Sequence, residues 1–341
     1  MIKKIIIYNP FILFLVVHLI IWTLIPSLVN QNLPLDTIEA LAWGSNLDWG
    51  FNKHPPLSAF FVELFYQLFG NQDWAYYFLS QIFIVFSFII VWKFSEDFFS
   101  NQKLSFISIL LLEGIVFYNY TTPEFNVYVC QLPFRALTVL YFWKCFRNNQ
   151  QNDWILLGVF AGLGFLSHYL FLYLILTIGI FFIYKNLKKK FNYNFFLPVI
   201  IFLIIITPHL IWLIDNNYST VTYGFSRTEN QNTSLLIAHL YNPIMFVFKQ
   251  LIILLPFILI SLTLISKIKF KLNFKDQKLI FLIILNLLPL FLIFLTSLTM
   301  GIKIRTMWMS PFYLFLGVLF VYIFNKKINF YKLKKFYATF F

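Results

Sequence analysis

Charged side chains are scarce in this chain: they make up 11% of its 341 residues, against 60% that are hydrophobic and 22% that are aromatic. That balance excludes a water-soluble globular domain, which could not hide so much apolar surface, and makes lipid the main solvent of the fold. Cysteine is almost absent. Cys130 and Cys145 lie on one apolar run and would stand ~22 Å apart on a helix rising ~1.5 Å per residue. That is beyond the reach of a disulfide, so they reveal neither a disulfide framework nor a redox compartment. The formal net charge of +13 comes without a basic patch or repeat; Lys and Arg fall in short clusters between apolar runs, which argues against nucleic acid as a partner and orients a chain in a membrane. There is no Gly-rich loop to cradle a phosphate, no metal-site spacing of His, Cys and carboxylates, and no Ser-His-Asp arrangement to be inferred from five scattered histidines.

What the chain does contain is a series of apolar runs. Residues 5–29 are long enough to cross a bilayer, where roughly 20 suffice, and no small-residue cleavage site follows, so this run reads as a retained anchor. Further runs at 74–92, 104–118, 125–143, 154–167, 169–184, 195–214, 243–265, 279–298 and 307–324 predict an all-α integral membrane protein with about ten transmembrane helices. The two runs that meet at Ser167 and His168 could also form one broken hairpin. Residues 1–325 read as one multi-span domain and 326–341 as a basic cytoplasmic tail.

With the N-terminus in the cytoplasm, 20 of the 26 Lys and Arg residues fall on inner segments; Lys53, Arg135, Arg227, Lys249, Lys303 and Arg305 are the six that do not. The acids run the other way: Asp36, Glu39, Asp48, Glu63, Asp73, Glu124, Asp215 and Glu229 all fall outside. Acids contribute little to topology, so their enrichment points to chemistry on the outer face.

The longest polar stretch, within residues 31–73, is expected to be a helical extracytoplasmic loop that carries the site, since loops this long are usually functional. Asp36 and Glu39 open a helix three residues apart. Either they form a capping box that satisfies free backbone N–H groups, or they present two carboxylates on one side of the helix, one as base or orienting acceptor and the other holding a metal or a sugar hydroxyl. Pro55 and Pro56 mark residues 57–69 as a second helix. Lys53 and His54 then stand beside its N-terminus, where an anion is favoured, or Lys53 snorkels to lipid headgroups.

Leu35-Asp36-Thr37-Ile38-Glu39-Ala40, Trp49-Gly50-Phe51, Lys53-His54-Pro55-Pro56-Leu57 and Phe69-Gly70 resemble the first-loop motifs of the bacterial family 39 glycosyltransferases. These are relatives of the dolichyl-phosphate-mannose protein mannosyltransferases and of the 4-amino-4-deoxy-L-arabinose lipid A transferase. The resemblance continues through Leu112-Glu113-Gly114, Glu124-Phe125-Asn126, the run from Gly158 through Ala161 and Gly162 to Leu163, and Pro208-His209-Leu210-Ile211-Trp212, then weakly to Trp308 and Pro311. Where relatives often have Lys-Tyr after the fifth span, this chain has His168-Tyr169, and relatives usually continue into further spans or a soluble outer domain beyond the point matching Phe341.

The resemblance implies an inverting, C-type glycosyltransferase of the bacterial inner membrane. Its donor would be an undecaprenyl-phosphate sugar bound on the outer face, and its acceptor lipid A or another envelope lipid or glycan, with membrane lipids as surroundings. A divalent metal is left open. Asp36 and Glu39 are the catalytic candidates, and Lys53, His54, Arg227, Lys303 and Arg305 the candidates for donor phosphate. Glu113 sits in an apolar run where an ionisable group is costly. Thr122-Pro123-Glu124 reads as N-cap, proline and first-turn acid of the fourth span, and Asn126, His168, Tyr169 and His209 are further polar candidates, His209 with a purely interior role as its alternative. The rival class is a non-catalytic flippase for lipid-linked glycans, which would place its charges along a mid-membrane path.

Overall fold

The computed structural model describes residues 2–186, 192–228, 235–265 and 272–328. The basic clusters expected at 188–190 and 267–271, the acid Glu229 and the tail beyond Ile328 lie outside the described residues. Among the described residues every regular element is helical: α1 (Ile2–Val29), α2 (Leu35–Gly44), α3 (Leu57–Phe69), α4 (Asp73–Ser95), α5 (Gln102–Leu110), α6 (Val127–Asn148), α7 (Gln151–Ser167), α8 (Leu172–Asn186), α9 (Phe196–Asp215), α10 (Ser219–Ser226), α11 (Leu235–Leu264), α12 (Gln277–Met300) and α13 (Leu316–Phe324). The all-α class expected from composition is borne out.

Among the described residues six helices are long and apolar enough to cross a membrane, and a pair bent by 53°, Thr306–Tyr313 with Leu316–Lys327, would make a seventh. Their outward faces remain apolar: Ile12, Leu13 and Val16 on α1, Ile200, Leu203 and Ile204 on α9, and Phe248, Leu251 and Leu255 on α11 are all exposed. Such faces are stable only against lipid. Three expected spans fall short of that test for definite reasons. The run at 104–118 is no continuous helix, because α5 ends at Leu110 and 3-10 turns at Leu111–Gly114 and Val116–Tyr118 follow. Helix α7 has 17 residues, ~26 Å at ~1.5 Å each. Helix α6 has 22 residues but contains Gln131, Arg135, Lys144 and Arg147. The break expected at His168 is present, with extended backbone (φ −164°, ψ 134°) between α7 and the 3-10 turn Tyr169–Phe171 that leads into α8.

The chain divides into two compact units. One comprises Met1–Val17, Val91–Thr121 and Ser234–Phe341, the other His18–Ile90 and Thr122–Thr233. In the first, α11 packs on α12, and α13 packs on α5 and α12. In the second, α6 packs on α7, α7 on α9, and α2 on α3, which also touches α6 and α7. The α7–α9 approach depends on small residues one turn apart: a Cβ added at Gly158 would stand 2.7 Å from the Pro198 carbonyl oxygen, and one at Gly162 2.8 Å from Ile205.

The 31–73 stretch holds two helices, α2 and α3, and α3 covers the residues predicted for it. The buried residues of α2 (Thr37, Ala40, Gly44) and of α3 (Ser58, Ala59, Val62, Glu63) recur every three or four positions, and most are small, so the two helices meet closely.

Candidate active site

Helix α2 opens the site. Its N-cap position is Pro34, whose side chain makes no cap bond. Asp36 and Glu39 therefore do not form the capping box that was the structural alternative for them. The cap comes from elsewhere in the chain, because the Asp36 backbone N–H donates to Glu124 Oε1 at 3.3 Å. Thr37 Oγ1, one residue on, donates to the Phe125 carbonyl at 3.1 Å. These two bonds dock the first turn of α2 on the segment that leads into α6.

That segment also departs from expectation. The N-cap of α6 is Asn126, whose side-chain oxygen accepts from the N–H groups of Tyr128 at 3.0 Å and Val129 at 3.1 Å. Thr122 lies outside the helix, and Glu124, two residues before the cap, is left to face α2 and to accept from Asn126 Nδ2 at 3.4 Å. Asn126 is thus a structural cap that also steadies Glu124.

Between α2 and α3 the chain folds back on α2. The Phe51 N–H donates to the His54 carbonyl at 3.1 Å, and Trp43 stacks on Phe51 at 5.5 Å and meets His54 edge-on at 6.0 Å. This turn sends Lys53 Nζ to Glu39 Oε1 in an ion pair. Lys53 Nζ also lies 5.8 Å from the centroid of the Tyr223 ring on α10, and the Arg227 guanidinium lies 5.8 Å from the same ring. His54 meets Tyr223 at 6.5 Å and His168 at 6.0 Å, and His168 in turn meets Tyr128 at 5.1 Å. His168 Nδ1 accepts from the Leu170 N–H at 3.1 Å, so this histidine also caps the turn into α8.

The electrostatics follow from this crowding. Burial, then the neighbouring Glu39 charge, holds the Asp36 carboxyl above its ordinary range, against the lowering pull of Lys53 and Arg227. Glu124 is raised by burial and by Asp36. Lys53 is raised chiefly by its hydrogen bond to Glu39 and stays a cation. Burial, with Lys53 beside it, pushes His54 down to about 4, and burial lowers His168 strongly. His54 therefore meets an anion as a neutral hydrogen-bonding group, and the positive charge comes from Lys53 and Arg227.

One unit thus brings together Asp36, Glu39, Lys53, His54, Glu124, Asn126, His168 and Arg227. Tyr169 and His209 belong to the same unit and bond to each other, Tyr169 Oη to His209 Nε2 at 2.7 Å. The sequence reading missed Tyr223, although its place four residues before Arg227, on one face of a helix, was a usable signal. Glu113, Lys303 and Arg305 belong to the other unit. There Glu113 closes a 3-10 turn and accepts from Asn119 Nδ2 at 3.2 Å. Lys303 is exposed, and Arg305 is the N-cap of the 3-10 segment Thr306–Tyr313. Among the described residues no group of three or more His, Cys, Asp and Glu side chains is disposed to hold a metal ion.

Two comparisons place this architecture among known proteins. Residues 53–212 match the family model described as dolichyl-phosphate-mannose-protein mannosyltransferase. The fold is similar to two crystal structures of ArnT from Cupriavidus metallidurans. The one bound to undecaprenyl phosphate has a TM-score of 0.62 at 13% identity, and the apo one 0.64 at 12%. In each case 96% of this chain is covered, and the chain spans 62% of the length of the solved one. No curated protein sequence matches it significantly. With the mannosyltransferase pattern running from Lys53 to Trp212 on an ArnT fold, the resemblance to the family 39 membrane glycosyltransferases is borne out.

Proposed function

We propose that this protein transfers a sugar from a polyprenyl-phosphate carrier to an envelope acceptor, lipid A or another lipid or glycan, on the outer face of the inner membrane, with its N-terminus in the cytoplasm. The observation that carries the reading is the placement of Lys53 and Arg227 on one aromatic ring, Tyr223, with both charges felt at Asp36. Two cations beside a carboxylate suit a donor whose phosphate must be held while its anomeric carbon is attacked. One of the two ArnT structures is bound to undecaprenyl phosphate, and this pair of cations fits a donor of that chemistry. The basic inner segments support the orientation.

The proposed step is a single displacement with inversion. The acceptor oxygen forms a bond to the anomeric carbon, the bond from that carbon to the phosphate oxygen breaks, and the negative charge growing on the phosphate is met by Lys53 and Arg227. A hydroxyl acceptor gives its proton to Asp36, whose raised pKa makes it a better base than an exposed aspartate. An acceptor phosphate is already largely ionised near neutrality, with a second pKa of ~6, and asks of Asp36 only orientation. Glu39 holds the Lys53 amine in place, Glu124 accepts from the Asp36 N–H, and His54 offers the phosphate a neutral hydrogen-bonding group. The test is mass spectrometry of envelope lipids from strains with and without the gene, beside transfer assays on purified protein. Loss of a sugar from an acceptor supports transfer, while changed sidedness of the carrier with no sugar missing supports a flippase instead.

A further inference from the structure

Behind the charged cluster lies a buried chain of hydrogen bonds that the transfer step does not use. His209 on α9 and Thr220 on α10 are both fully buried. His209 Nδ1 lies 2.6 Å from the Trp49 carbonyl oxygen, its Nε2 lies 2.7 Å from Tyr169 Oη, and Tyr169 Oη lies 2.5 Å from Thr220 Oγ1. The directions follow from chemistry. A carbonyl can only accept, so His209 carries its proton on Nδ1; in that tautomer Nε2 accepts from the Tyr169 hydroxyl, and Tyr169 in turn accepts from Thr220. The ends of this chain sit on two separate segments. Trp49 is four residues before Lys53, and Thr220 is one residue into the helix that presents Tyr223 and leads to Arg227. Contacts beside it have the same effect: Trp212 stacks on His209 at 6.1 Å and 12°, and Gly50 lies flat against the Trp212 ring, where any Cβ would collide.

We propose that Thr220, Tyr169, His209 and the Trp49 carbonyl form a positioning clamp that sets the Lys53 turn and the Arg227 helix relative to each other, so that their cations close on one phosphate. The proposal rests on the reading of the site as a donor-phosphate site. It assigns Tyr169 and His209 to positioning and not to contact with the donor. Because Tyr169 is the joint between the two segments, removing its hydroxyl breaks the link while the ring still fills its place.

The experiment uses the full chain in nanodiscs, with farnesyl phosphate as the probe and hydrogen–deuterium exchange as a second readout. Tyr169→Phe and Thr220→Val are expected to weaken farnesyl phosphate binding about tenfold, the order of a lost buried hydrogen bond, and to raise exchange at residues 219–227. His209→Asn keeps a donor near the position of Nδ1. It should preserve protection of residues 49–54 while loosening 219–227, whereas His209→Ala loosens both. Thr177→Val, which removes a buried hydroxyl bonded within its own helix, should change neither readout. Binding unchanged in Tyr169→Phe while Lys53→Ala weakens it would overturn the clamp and leave the phosphate site standing. Exchange raised evenly over the whole chain, or nowhere, would also overturn it. If the wild type binds no farnesyl phosphate, the functional reading fails, and the exchange pattern still decides whether the two segments are clamped.

Discussion

The two compact units spend their polar side chains differently. In the unit that contains α11 and α12, the polar side chains around the end of α12 bond to backbone. His239 Nδ1 donates to the Leu298 carbonyl at 2.7 Å, Asn242 Nδ2 to Gly301 at 2.7 Å, Ser297 Oγ to Ile302 at 2.7 Å and Gln250 Nε2 to Thr306 at 3.3 Å. They close the irregular backbone after α12, where a carbonyl left without a partner away from water is costly. In the unit that contains the first loop, titratable side chains are set against one another and against rings: Lys53 with Glu39 and Tyr223, Arg227 with Tyr223, His54 with His168, Glu124 with Asn126 and the α2 terminus. The contrast sets polar groups that satisfy irregular backbone in lipid against titratable groups gathered in one place, the arrangement on which the proposed site rests.

Substitutions can break or sharpen that contrast. The largest effect is expected for Asp36→Asn, which should cut transfer to a hydroxyl acceptor by roughly 10²- to 10⁴-fold and leave measurable transfer to a phosphate acceptor. Protein yield should be unchanged, since the Asp36 side chain makes no cap bond. Activity normalised to folded protein checks this, and full activity of both Asp36→Asn and Glu39→Gln with every acceptor would remove the first loop from the chemistry. Next, Lys53→Ala should weaken binding of a polyprenyl-phosphate donor roughly 10- to 100-fold, the scale of a hydrogen bond to a charged group, measured by direct titration.

Asn242→Ala should do the reverse. Donor binding stays at the wild-type level while stability falls by roughly 1–3 kcal/mol, because the buried bond to the Gly301 carbonyl is lost; a denaturation midpoint in detergent reads it. The smallest effect is on pH dependence. His54 has a folded pKa of about 4, below its unfolded value, so between ~6.5 and ~4 the unfolded chain binds the extra proton and this contribution to stability is lost as pH falls. The raised carboxyls of Asp36 and Glu124 act in the opposite sense, since protonation favours the fold there. The His54 contribution is therefore read as a difference: the melting temperature of wild type should fall more than that of His54→Gln between pH 7 and pH 5.

Much of the frame was legible before any coordinates. Composition dictates a lipid solvent, and Pro55-Pro56 ahead of an apolar run sets the start of α3 at Leu57, because proline has no N–H to lose in a first turn. Asp36, Glu39 and Lys53 stood out as charges in a chain with few of them. The capping reading of Asp36 and Glu39 did not survive. It relied on spacing within four residues, whereas the group that caps α2, Glu124, lies 88 residues along the chain. The assignment of Thr122 as the cap of α6 failed by four positions, because both Thr and Asn can cap a helix and only the fold shows that the chain turns helical after the extended Asn126 (φ −139°, ψ −178°). The run at 104–118 was apolar enough for a span, but composition does not register that the helix tightens into a 3-10 turn at Leu111.

What the sequence by itself determined is what sums along the chain: the solvent, the helical class, and the few ionisable residues costly enough in lipid to need a purpose. The tertiary structure alone decided which of them meet. Lys53 and Arg227 share a ring on α10, Asp36 faces Glu124, and His209 links Trp49 to Tyr169 across 160 and 40 residues. Pairings at such separations leave no local pattern, because they are set by the approach of packed helices, and that approach depends on where small side chains let two backbones touch.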